Sequence, residues 1–215
     1  MGGKLVAGLD EAVARIRDGA SVAVGGFGGA GSPAELVAAL ARTDRAGLHI
    51  IANGGAGEGY ARLAAENRVR KVSMGFPFGG PWHDPVLAGR IEIEVLPQGT
   101  LAERLRAAGA GIGAFYCPTG AGTLLAAGKE QRTIDGRDYL LEYPLHGDVA
   151  LIKANIADRA GNLLYRKTAR NFGPVMATAA TITIAQVASV VEAGQIDPEA
   201  VVTPGIFVDR VVTIR

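Results

Sequence analysis

Short apolar runs alternate along this chain with segments whose apolar positions recur every three or four residues. The first pattern marks buried strands and the second marks amphipathic helices. Leu9, Val13 and Ile16 share one face of a short helix that starts near Asp10 and stops at Asp18-Gly19. Residues 21–26 (SVAVGG) read as a buried strand. Ser32-Pro33-Ala34-Glu35 reads as a capping box with proline at the first helical position, opening a helix with Leu36, Val37 and Leu40 on its apolar side. Residues 48–53 (LHIIAN) form a second buried strand that ends in another glycine-rich turn, and residues 70–76 (RKVSMGF) form a third, followed by a loop with Pro77, Pro81 and Pro85. Residues 90–97 alternate apolar and acidic side chains, as a half-exposed strand does. Residues 99–109 make a compact helix with Leu101 and Leu105 inward, and residues 112–117 run as a strand into PTGAGT. Short strands follow at 139–143, 149–154 and 163–165, then a last helix over 172–193 ending at Gly194, and a terminal strand over 206–213. Without an internal repeat or linker, the alternation predicts one α/β domain over residues 1–215, a single open, mainly parallel sheet flanked by helices.

Composition narrows the function classes. The chain has 215 residues, 48% hydrophobic and 20% charged, which suits a folded core and argues against disorder. Lys+Arg number 22 against 21 Asp+Glu, a net charge of +1 with no basic run, so nucleic acid is not an expected partner. No apolar segment is long enough to span a bilayer, and the first residues, MGGKLVAGLDEA, resemble neither a signal peptide nor a myristoylation site. Cys117 is the only cysteine, which excludes an internal disulfide and fits the reducing cytoplasm. The excess is in glycine, 31 residues placed beside the apolar runs, where strand-to-helix turns are tight.

The densest of these turns is VGGFGGAGSP, residues 24–33. Gly26 to Gly31 satisfies G-x-G-x-x-G between a strand and a helix, the context of a dinucleotide loop. That reading also needs an acid at the end of the second strand, where this chain has Ala52-Asn53-Gly54. A phosphate P-loop needs Gly-Lys-Ser or Gly-Lys-Thr, and here Gly31 is followed by Ser32-Pro33. A purely structural turn accounts for one or two glycines. A bend beside a capped helix start accounts for more, because free N–H groups and partial positive charge there suit an anion or a developing oxyanion.

Residues 18–33, with their Asp-Gly pair, apolar run, Gly-Gly-Phe and Gly-x-Pro, resemble the first signature of the family I coenzyme A transferases. The resemblance continues through LPQGTLAERLRAAGAGIGAFYCPTGAGT, ALIKANIADRAGNLLYRKTARNFGPVMA and VVTPGIFVDRVV, and so covers nearly the whole chain. It implies the family's NagB/RpiA-like α/β fold and the length of a separate A (alpha) chain. FYCPTGAGT, PLHGDVALIKA and RNFGPVMATAATITIAQV are most similar to members that move CoA from succinyl-CoA to 3-oxoadipate in aromatic-compound catabolism, with acetoacetate-using members next. The chain departs from the latter at Phe76-Pro77-Phe78-Gly79 and at Gly29-Ala30. A non-catalytic acyl-CoA-binding protein of the same fold is the alternative of a different class.

The family chemistry is nucleophilic: a glutamate carboxylate attacks the acyl-CoA thioester, and an enzyme glutamyl-CoA thioester carries the CoA to the second carboxylate. Thioester energy is conserved, so no cofactor, ATP or metal is implied, and CoA enters only as substrate. The resemblance places the nucleophile on a B subunit, in a heterodimer or A2B2 assembly, within a Ser-Glu-Asn-Gly-like motif that this chain lacks. Glu35, Glu66, Glu92, Glu94 and Glu103 read instead as solvated faces. No catalytic nucleophile is therefore expected here. Gln98 matches a family glutamine beside the reactive carbonyl; a neutral amide donates there without pairing with the nucleophile. A helix cap is its alternative role. Asn53 matches a position near the same site, with a turn residue as its alternative, and Gly26, Phe27, Gly28 and Gly29 would line the acyl pocket. His49, His83 and His146 lack metal-ligand spacing, so no metal site is expected. Cys117 reads as a buried strand thiol, and the basic cluster Arg166, Lys167 and Arg170 as an interface or solvated face.

Overall fold

The computed structural model describes residues 3–76 and 80–214. The chain opens with α1 (Leu9–Val13), then alternates β1 (Ser21–Val24), α2 (Ala34–Arg42), β2 (Leu48–Ala52), α3 (Glu58–Ala65), β3 (Val69–Met74), α4 (His83–Leu87), β4 (Glu92–Val95) and α5 (Gln98–Ala110). Three strands follow, β5 (Phe115–Cys117), β6 (Gln131–Ile134) and β7 (Arg137–Glu142), and the chain then returns through β8 (Gly147–Asp158), β9 (Leu163–Leu164), α6 (Gly173–Ala179), β10 (Ala180–Val191) and β11 (Arg210–Thr213). The main sheet has the order β11-β10-β8-β1-β2-β3-β4, all parallel, and β9 joins the end of β8 antiparallel.

Alternation along the strands sends side chains to two apolar layers. On one face Val22, Val24, Ile50, Val72 and Ile184 pack with α1, α2 and α3 through Val13, Leu36, Leu40 and Leu63. On the other, Ala23, Ile51, Ile152 and Val187 pack with Leu101 and Leu105 of α5 and Met176 of α6. Burying each of the larger aliphatic side chains contributes about 1.5–3 kcal/mol. Helices on both faces explain why β2 is buried along its whole length. The fold is therefore the open, mainly parallel sheet flanked by helices that the pattern predicts.

α1 ends at Val13, short of the expected stop at Asp18-Gly19, and α3 and α4 form in segments that read as turn and loop. Three larger features also differ from the prediction. The long last helix is only the seven residues of α6, and the remainder of the predicted span is β10. Its β-branched sequence, TITIAQVASVV, runs between β8 and β11, and burial on both faces gives it the apolar content of a helix without the period. The second is a small antiparallel sheet, β5-β7-β6, whose β6 strand is exposed throughout. The third is a terminal strand shorter than predicted, because Gly205–Phe207 forms a 3-10 turn ahead of it.

The topology determines where a ligand can sit. From the central β1 the chain steps through β2 and β3 to the β4 edge, then restarts at β8 and steps the other way through β10 to β11. The order reverses beside β1, so the loops leaving the carboxyl ends of these strands diverge and open a crevice.

Candidate functional site

The loops after β1, β2, β3 and β4 surround a cleft of about 490 Å³ at that crevice. Gly26, Phe27, Gly28, Gly29, Asn53 and Gln98 all line it, so the structure brings together every site residue singled out in the sequence. Gly54, Gly55, Gly75, Phe76 and Tyr60 complete much of the wall. Phe27 and Phe76 stand exposed on the rim, and Pro77, Phe78 and Gly79, the rest of the stretch that departs from the acetoacetate-using family members, lie outside the described residues.

The glycine bend is a miniature hairpin. Phe27 and Ala30 exchange two backbone hydrogen bonds of 2.9 Å, with Gly28 and Gly29 between them at φ 54° and 88°. Two successive positive φ angles define a type I′ turn, for which a Gly-Gly pair is suited. At Gly26, with φ 115°, an added Cβ would stand 2.9 Å from Ser32 Cα. A Cβ at Gly31 would collide with the Ala169 carbonyl. The turn therefore packs against the 3-10 turn Lys167–Arg170, which carries most of the basic cluster. Among the described residues, Arg166, Lys167 and Arg170 enter no ion pair.

Two side chains with no local sequence signal hold this region. Asn171 accepts from Gly26 N–H at 3.2 Å and donates to the Ala30 carbonyl at 2.9 Å and the Thr168 carbonyl at 2.8 Å. The cap of α2 is a correction to the capping box: Pro33 precedes the helix and Ser32 makes no cap. Leu36 N–H donates instead to the side chain of Gln186, on β10, at 3.1 Å, and the same amide donates to Glu35. Ser32 fails because the turn ends at Gly31 and helical structure begins only at Ala34, whereas a fully buried Gln186 needs the partners that the helix start offers.

Asn53 and Gln98 sit on either side of Gly75. A Cβ at Gly75 would lie 3.2 Å from Asn53 Oδ1 and 3.5 Å from Gln98 Cα, so a side chain there would push the Asn53 amide aside by a few tenths of an ångström. Gln98 is the first residue of α5 and no side chain caps that helix, so its amide is not spent as a cap. Neither amide makes a hydrogen bond among the described residues. The described lining carries no carboxylate and no cation; its one titratable group is Tyr60, whose phenol burial holds far above the usual value. The cleft is thus a neutral, donor-rich surface, suited to charge that develops during a reaction and unable to supply a carboxylate nucleophile. Behind it, Tyr60 meets Trp82 edge to face at 5.6 Å, and the buried indole N–H of Trp82, against Gly55, has no partner among the described residues.

Of the glutamates read as solvated, two are not. Glu35 is half-buried on Gln186, and Glu94 sits in a polar row across β2, β3 and β4. Ser73 Oγ donates to Glu94 at 2.6 Å and so accepts from His49 Nε2 at 2.8 Å, while Arg104 of α5 donates to Glu94 at 2.7 Å and to the Tyr143 carbonyl at 2.7 Å. Burial opposes the Glu94 charge, but the bonds from Ser73 and Arg104 outweigh it and hold the carboxyl below its usual range. Burial, assisted by Lys71 and Arg70, depresses His49 from 6.5 to about 4, so the ring is neutral. The alternating pattern of β4 hid this row, because an inward acid on an edge strand has the same signature as a solvated one. Cys117 is free and half-buried, with Thr100 Oγ 3.9 Å from its sulfur. Among the described residues no three His, Cys, Asp or Glu side chains gather in a way that could hold a metal, and no helix is long and apolar enough to cross a membrane.

Comparison with known proteins points in one direction. A family model described as Coenzyme A transferase matches residues 6–213. The A chain of a 3-oxoadipate CoA-transferase of Pseudomonas putida is 57% identical over 96% of this chain and 91% of its own length. The A chain of a succinyl-CoA:3-ketoacid coenzyme A transferase of Xanthomonas campestris pv. campestris is 52% identical over 92% of this chain and 83% of its own. Among solved structures, an acyl-CoA transferase of E. coli O157:H7 in a thioester complex with CoA superposes with a TM-score of 0.85 and 27% identity, over 99% of this chain and 47% of that one.

Proposed function

The chain belongs to the coenzyme A transferase family, and we propose that it is the A (alpha) half of a two-chain enzyme that moves CoA from succinyl-CoA to 3-oxoadipate. The observation that carries this reading is the cleft itself: it gathers Gly26, Phe27, Gly28, Gly29, Asn53 and Gln98 and holds no carboxylate among its described residues. Such a half-site needs a nucleophile from another chain, and the relatives it resembles are named as one subunit of a larger enzyme.

The reaction then divides between the chains. A glutamate carboxylate carried by the B subunit opens the sequence: it attacks the succinyl thioester carbon, expels CoA thiolate and leaves an acyl–glutamyl anhydride. The thiolate attacks the glutamyl carbon, releases succinate and leaves the glutamyl-CoA thioester. The carboxylate of 3-oxoadipate reverses the two steps and departs as its CoA thioester. One thioester is present before and after, so the exchange draws on no ATP, metal or prosthetic group. Each attack places negative charge on a carbonyl oxygen, and the neutral amide of Gln98, backed by Asn53, is this chain's donor to it.

The test is co-expression with the B subunit in the cytoplasm of a bacterial host. Expected are CoA exchange between succinyl-CoA and 3-oxoadipate, and a borohydride-reducible CoA adduct on the B subunit only. An adduct on this chain, or no exchange with any 3-oxoacid, would overturn the proposal. The Xanthomonas campestris relative is named for a 3-ketoacid acceptor, acetoacetate is the acceptor of the alternative reading, and the ratio of kcat/KM for 3-oxoadipate and acetoacetate decides between them.

A further inference from the structure

We infer that Asn171 is a positioning residue for the acyl half of the site, acting through the glycine turn and not by touching substrate. The inference rests on the proposed transferase reading. The turn from Gly26 to Gly31 has a hairpin tip, Gly28-Gly29, whose N–H groups donate to no group among the described residues. Both glycines line the cleft. A two-residue tip on a glycine-rich stem has little intrinsic stiffness, because glycine leaves the backbone the most freedom to lose. Its geometry must be imposed from outside.

Asn171 supplies that restraint from the other side of the turn. Its Oδ1 accepts from Gly26 N–H, at the start of the turn, and from Phe172 N–H at 2.7 Å. Its Nδ2 donates to Ala30 O, at the far end, and to Thr168 O. One planar amide thus bridges both ends of the hairpin and anchors them to the segment at 168–172. Contact of Gly31 with the Ala169 carbonyl adds a steric stop in the same place. Four hydrogen bonds exceed what an ordinary surface asparagine makes, and no simple hydrophobic or aliphatic replacement reproduces both donor and acceptor. Loosening the bridge lets the tip wander relative to Asn53 and Gln98, and a shift of about 1 Å in a catalytic constellation costs up to about 100-fold in rate.

The experiment compares wild type, Asn171→Ala and Asn162→Ala, each co-expressed and assembled with its partner chain. Asn162 is the control: its side chain also bridges, accepting from Gly205 N–H at 2.8 Å and donating to Asp158 at 2.8 Å, but neither of these residues lines the cleft. Asn171→Ala is expected to lower kcat by about 10- to 100-fold with KM for both substrates within about threefold, the pattern of a lost transition-state interaction. Asn162→Ala is expected to lower Tm and leave kcat unchanged. In this chain on its own, hydrogen exchange at the Gly26 amide should accelerate by at least about tenfold in Asn171→Ala, with β1 unaffected. A kcat within about twofold of wild type, or activity lost only in proportion to lost assembly, overturns the inference. If wild type itself shows no exchange, the transferase reading fails, while the amide measurement still decides whether Asn171 holds the turn.

Discussion

Replacing Gly26 by alanine tests how closely the cleft depends on backbone approach. The added Cβ would stand 2.9 Å from Ser32 Cα and 3.1 Å from Ser32 N, with φ at 115°. Carbon atoms in contact prefer about 3.5–4.0 Å, so the two backbones must part by roughly 0.5–1 Å. Both contacts are main-chain atoms of Ser32, two residues ahead of α2, so no side-chain rotation relieves them. The backbone conformation itself costs a non-glycine residue on the order of 1–3 kcal/mol. Gly19→Ala is the reference, since Gly19 has φ 73° and open space around its would-be Cβ, and it precedes β1 at the opposite end of the strand. The reference should cost about 1–2 kcal/mol, a Tm loss of a few degrees for a chain of this size, and should leave kcat unchanged. Gly26→Ala should lose at least as much stability and, in the assembled enzyme, about 10- to 100-fold in kcat. Calorimetry on this chain alone and steady-state exchange rates on the complex measure the two effects separately. Equal kcat for the two variants would refute the claim that the turn's position, and not merely its folding, matters to the reaction.

Gln98→Ala should lower kcat about 100-fold, the cost of removing one oxyanion donor, with co-purification of the two chains unimpaired; unchanged turnover would remove Gln98 from the site. His49 gives a pH signature: the unfolded ring protonates near 6.5 and the folded one only near 4, so the unfolded chain takes up the proton first. Stability should be constant above about pH 6.5 and fall toward pH 4, by at most about 1.4 kcal/mol per pH unit. Glu94 and Asp148, both with lowered values, begin to withdraw their own contributions only below about 4.5, so a His49→Gln variant should flatten the profile between pH 6.5 and 4.5. A slope that survives in that variant would assign it to another group. Arg104→Met leaves half-buried Glu94 with only Ser73 and the more distant Lys71 and weakens the surroundings of Glu142, and should cost about 2–3 kcal/mol in urea denaturation. Adding Glu94→Leu should recover part of the loss, and a double variant no more stable than Arg104→Met would contradict the pairing.

The sequence carried the parallel sheet and the cleft because both are local. A buried strand needs only a run such as LHIIA, and a ligand-facing turn needs glycines at its own positions. β10 reads as helix for a reason that is also local: it follows α6 without a break, and the apolar content of an interior strand continues that of the helix before it. The hairpin of β6 and β7 did leave a mark, Asp135-Gly136, with both residues at positive φ. Asp-Gly is a strong hairpin signal only between alternating apolar residues, and QRTI and RDYLLE offer little of that on a largely exposed sheet.

What local reading could not reach is the support behind the site. Gly26 and Asn171 lie 145 positions apart, and Leu36 and Gln186 lie 150 apart. No period or cap rule spans such separations; the pairings exist only because β8 and β10 return beside β1 and bring their flanking segments to the back of the first glycine turn. Ser32 shows the consequence. A local rule assigned it the helix cap, yet the fold supplies a buried amide from the far end of the chain, and Ser32 is left lining the cleft. The first half of the chain thus provides the lining of the cleft and the second half provides the amides that hold it. A substitution at Asn171 or Gln186 should therefore act on the cleft while touching none of the positions that the sequence marks as functional.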